Sequence, residues 1–68
     1  MSKQRQLEEA LFLAERNEFE GVIINEKQSL SDIPEGYRGQ VLEVNDHGNV
    51  TLWNAFANGN LHEVASRV

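Results

Sequence analysis

Two hydrophobic periods follow one another along the chain, and the switch between them limits the architectures open to it. Leu7, Ala10, Leu11 and Ala14 stand at i, i+3, i+4 and i+7, the spacing that lines one stripe of a helix. Further on the period falls to two. Val50 and Leu52 take one face of an extended segment, Thr51 and Trp53 the other. A helix period giving way to a strand period predicts an α+β domain, with a leading helix packed on a sheet.

The length allows one such unit. A chain of 68 residues has room for a single core, so residues 1–68 are read as one domain. No cysteine is present, which removes disulfides and thiolate metal sites as stabilisers. No cofactor is expected. The basic start of the chain runs into Glu8 and Glu9, which does not suit a signal peptide, and the longest apolar run is short of a membrane span. A cytoplasmic protein is the expectation, with no membrane partner.

The helix is expected over residues 3–20, with Ser2 as its N-cap and Gly21 as its stop. Its charges oppose the macrodipole. Lys3 and Arg5 lie near the positive end, while Glu15, Glu18 and Glu20 lie near the negative end. Such a helix needs packing on more than one side to persist. Phe12 and Phe19, spaced i, i+7, form a second apolar line beside the main stripe, suited to the core, a partner or a homodimer contact.

Residues 22–68 read as β-rich, with four or five short antiparallel strands. Val22, Ile23 and Ile24 form a β-branched run. Ile33-Pro34-Glu35-Gly36 predicts a type I turn with Pro34 at its second position. Strands follow at residues 40–44 and 49–53, joined by a tight turn at Asn45-Asp46-His47-Gly48. Asn58-Gly59 signals a two-residue hairpin, and residues 64–68 supply a closing strand.

Within residues 33–68, Gly36-Tyr37-Arg38-Gly39-Gln40-Val41-Leu42-Glu43-Val44 resembles the G-x-x-G-x-V-x-x-V segment of KOW-type and other SH3-like small barrels. That resemblance implies a strongly bent sheet closing into a small barrel under the helix. It also implies binding of proteins, peptides or nucleic acid through loops and one sheet face. The helix-plus-barrel plan resembles accessory proteins carried by phages and plasmids as well.

Charge argues against direct nucleic-acid binding. The net charge is −5, and Lys3, Arg5, Arg16, Lys27, Arg38 and Arg67 are scattered rather than clustered. Asp46-His47 and His62-Glu63 offer metal-ligand types, but two turn-flanking pairs are better read as solvated surface, and no metal site is expected. No serine or threonine sits in a nucleophile context, and no two carboxylates stand apart from the rest, so no catalytic residue and no enzyme is expected. What remains is a protein-interaction module. Its candidate contact residues are Trp53 and Tyr37 on the sheet side and Phe12 and Phe19 on the helix. The alternative is an acidic regulator that occupies a nucleic-acid site on another protein, motivated by the eight acids and four bases of residues 1–35.

Overall fold

The structure is a computed structural model that describes residues 2–67. Its elements are a helix α1 (Lys3–Glu15) and strands β1 (Val22–Ile24), β2 (Gly39–Val44), β3 (Val50–Ala55) and β4 (Leu61–Arg67). A short 3₁₀ turn, Leu30–Asp32, lies between β1 and β2. The fold is therefore α+β, one N-terminal helix packed on a four-stranded sheet. Val68, expected in the closing strand, lies outside the described residues.

α1 begins where expected: the Ser2 hydroxyl accepts the Arg5 N–H at 3.1 Å. It ends earlier than residue 20, for a reason visible in its hydrogen bonds. Asn17 takes φ of 59°, its N–H donates to the Ala14 carbonyl, and the Glu18 N–H donates to the Leu13 carbonyl at 2.8 Å. Those two bonds make a Schellman stop with asparagine in the left-handed position usually held by glycine. Gly21 does not end the helix. The chain has already turned, which takes Phe19 off the helix surface and ends the Phe12/Phe19 line.

Strand order is β1-β2-β3-β4. β2, β3 and β4 form the antiparallel meander, but β1 runs parallel to β2, pairing Val22 with Val41 and Ile24 with Glu43. The sheet is mixed rather than wholly antiparallel, because residues 25–38 carry the chain back along the sheet before β2 begins. Nor does it close into a barrel. β1 and β4 are open edges, and each face already has its own cover, so curling would bury little more.

One face carries Leu42, Val50, Leu52 and Ala65, packed against Leu7 and Ala10 of α1. Val50 and Leu52 point inward, as their alternation requires. The opposite face carries Val41, Ile24 and Ala55, and its cover is the β1–β2 crossover, through Leu30, Ile33 and Tyr37. Adjacent residues Val41 and Leu42 are therefore both fully buried, in two different clusters. A strand buried on both faces loses the simple polar–apolar alternation.

Both hairpins use one device. In each, the residue opening the turn exchanges backbone hydrogen bonds across it: Asn45 with Gly48 and Asn49, Phe56 with Gly59 and Asn60. Gly48 at φ 79° and Gly59 at φ 89° supply the left-handed residue. Asn58 is not in the positive-φ region that a two-residue type I′ turn requires. The β3–β4 connection is thus a three-residue loop with glycine at its end. The proline turn is likewise displaced by one residue. Tyr37 N–H bonds the Pro34 carbonyl and Gly36 has φ 80°, so Pro34 opens a turn of type II character.

Candidate functional site

The crossover and the β3–β4 hairpin enclose one of several concavities of similar volume on the described surface. It is a cleft of about 350 Å³ between residues 30–37 and residues 55–61. Leu30, Ile33 and Tyr37 form one wall, and Ala55, Phe56 and Leu61 the other. Glu35 is the charged residue on its rim.

The walls are positioned by local chemistry. Ser29 N–H donates to the Asp32 carboxylate at 3.1 Å and Asp32 N–H to the Ser29 carbonyl at 2.9 Å, which clamps the 3₁₀ turn carrying Leu30. Tyr37 is fixed at its far end, where its hydroxyl donates to the Gln40 carbonyl at 2.9 Å. Its ring lies over Gly39, whose φ of 144° and lack of a side chain allow the approach: a β-carbon there would stand 2.8 Å from the phenolic oxygen.

The four residues singled out from the sequence separate into two pairs on opposite sides of the sheet. Trp53 and Tyr37 share the crossover-side cluster. Trp53 faces away from Val50 and Leu52, packed against the Ile24, Val41 and Ala55 cluster. It is half-buried opposite Val41, and its indole Nε1–H donates to Glu43 Oε1 at 3.0 Å. On the other side, Phe19 is half-buried against the helix-side core, its ring packed where a side chain on Gly21 would stand. Phe12 is 56% exposed, with the Arg16 guanidinium 5.5 Å from its ring centre.

Sequence reasoning missed Leu30, Ile33, Phe56 and Leu61 as wall residues. Leu30 and Ile33 are single apolar residues in a polar stretch, and isolated positions of that kind are the signal that a loop is packed on something. Phe56 is 42% exposed and meets His62 edge-on at 4.9 Å between ring centres.

The remaining candidates do not gather. His47 lies in the β2–β3 turn beside Asp46 at 3.6 Å, while His62 lies at the other end of the sheet opposite Asn54. Among the described residues no three histidine or acidic side chains converge as a metal site. No polar or charged side chain is buried there, so no acid or base is withdrawn from water. No described helix is long and apolar enough to cross a membrane.

The fold class is that of a small helix-on-sheet α+β domain with one covering segment on each face. No protein-family model matches the chain, and neither a curated protein nor a solved structure is significantly similar to it.

Proposed function

We propose that the protein is a non-catalytic interaction module that receives a short apolar segment of a partner protein in the cleft between the crossover and the β3–β4 hairpin. The observation that carries this reading is the cleft itself: a concavity of about 350 Å³ with Leu30, Ile33, Tyr37 and Leu61 on its walls. Its lining mixes these apolar side chains with Ser31, Glu35, Asn58 and Asn60, so it offers both apolar contact and polar groups that can orient a bound segment. Trp53 packs against the Ile24, Val41 and Ala55 cluster and bonds Glu43, outside the cleft lining, so in this reading the cleft rather than the tryptophan is the contact surface.

The acidic-regulator reading draws less support. Glu8 is paired with Arg67 at 3.1 Å and Glu18 with Arg16 at 3.3 Å, so part of the helix-side acidity is matched within the chain.

The test is capture by the immobilised chain. Leu61→Lys places a charge in the cleft at a half-buried strand end and should release the partner while the far-UV circular dichroism stays native. Phe12→Ala should leave capture unchanged. The reverse pattern would move the binding surface to the helix and overturn the proposal.

A further inference from the structure

The two covers of the sheet are attached in different ways. α1 buries Leu7 and Ala10 completely or nearly so, and it is also tied to β4 by side-chain bonds: Gln4 Nε2–H to the Ser66 carbonyl at 3.4 Å and Arg67 to Glu8 at 3.1 Å. Among the described residues the crossover has no comparable tie. Its own hydrogen bonds close locally, Gln28 to Asn25, Asp32 to Ser29, Ile33 to Leu30 and Tyr37 to Pro34. Its side-chain bond toward the sheet, from Tyr37 to Gln40, also spans three residues along the chain. Across the sheet face it is held by the packing of Leu30, Ile33 and Tyr37, all only half-buried.

The crossover also has slack. Ile24 pairs with Glu43, and β2 starts at Gly39, so the segment bridges a gap of about 14 Å at strand rise and spacing. Residues 25–38 could reach about 45 Å if extended. The segment can bow off the sheet without unpairing either strand.

We propose that residues 25–38 form a strap that opens as a unit while α1 and the sheet stay folded, uncovering the Ile24, Val41 and Ala55 cluster and widening the cleft whose wall it forms. Local opening of this kind is expected where few buried contacts and no long-range hydrogen bonds hold a segment. The strap is thus a gate on the cleft, and its opening requires no partner.

The absence of cysteine makes the test direct. Val41 and Leu42 are neighbours on one strand, 0% and 1% exposed, beneath the strap and the helix respectively. V41C and L42C are labelled under native conditions with a small thiol reagent, and each rate is scaled by the global stability of its variant from urea unfolding. Global unfolding exposes both thiols equally. The strap exposes only the first. V41C is expected to react at least 10-fold faster than L42C after scaling. Should L42C fail to fold, A65C gives a milder helix-side comparison, since Ala65 is 6% exposed in the same cluster as Leu42. Equal scaled rates, or a faster helix-side thiol, would overturn the proposal.

Discussion

Trp53→Ala tests whether the tryptophan is structural support or a free contact residue. The indole is half-buried against the Ile24, Val41 and Ala55 cluster. Full burial would put the loss at about 3–5 kcal/mol, and half-burial lowers the packing share to roughly 2 kcal/mol. The bond to Glu43 at 3.0 Å contributes about another 1 kcal/mol in this partly exposed setting. The expected loss is therefore about 3 kcal/mol. A chain of this size has roughly 3–10 kcal/mol in all. With a urea slope of about 1 kcal/mol/M for so small a domain, the midpoint should fall by about 3 M, or the variant should not fold. Trp53→Phe keeps a ring in place and loses the hydrogen bond, so its midpoint should fall by about 1 M or slightly more. Far-UV circular dichroism is the proper readout, because the substitution removes the only tryptophan. A midpoint for Trp53→Ala within about 0.5 M of the parent would refute the packing described for this side of the sheet.

Leu7→Ala removes a fully buried side chain from the helix–sheet contact and should cost about 2–5 kcal/mol, whereas Phe12→Ala should cost less than about 1 kcal/mol. Urea midpoints for the pair check the register of α1, and similar losses would contradict it. Asn17→Gly should stabilise the protein by up to about 1 kcal/mol, since glycine takes the left-handed position without strain. A lower thermal midpoint for that variant would argue against the Schellman stop.

The helix start, the meander and the inward set of Val50 and Leu52 could be read from the sequence because each rests on short-range rules. Ser2 precedes a helical stripe, and alternation at residues 49–53 assigns faces without tertiary knowledge. The helix end could not be read so well. Asparagine at position 17 competes with glycine at 21 for the same role, and backbone geometry decides between them. The parallel pairing of β1 was hidden too, since Val22-Ile23-Ile24 says that a strand is buried but not which neighbour it takes. The cleft was the least legible feature. Its walls join residues some 25 positions apart, and the crossover that makes it reads as a polar, turn-rich loop apart from Leu30 and Ile33. The expected barrel failed for the same reason, because a loop that can cover a face removes the need for the sheet to curl.

The docking of α1 onto β4 sets the order of events during synthesis. Translation delivers the helix first and its principal seat last, with Gln4 and Ser66 tied across 62 positions of sequence. At about 5–20 residues per second, Leu7 and Leu11 wait several seconds before β4 is made. Over that interval β2 and β3 offer Leu42, Val50 and Leu52, but the stripe lacks the β4 part of its seat, Ala65. The helix-side core is therefore completed only once residue 67 has left the exit tunnel, however early the helix itself has wound.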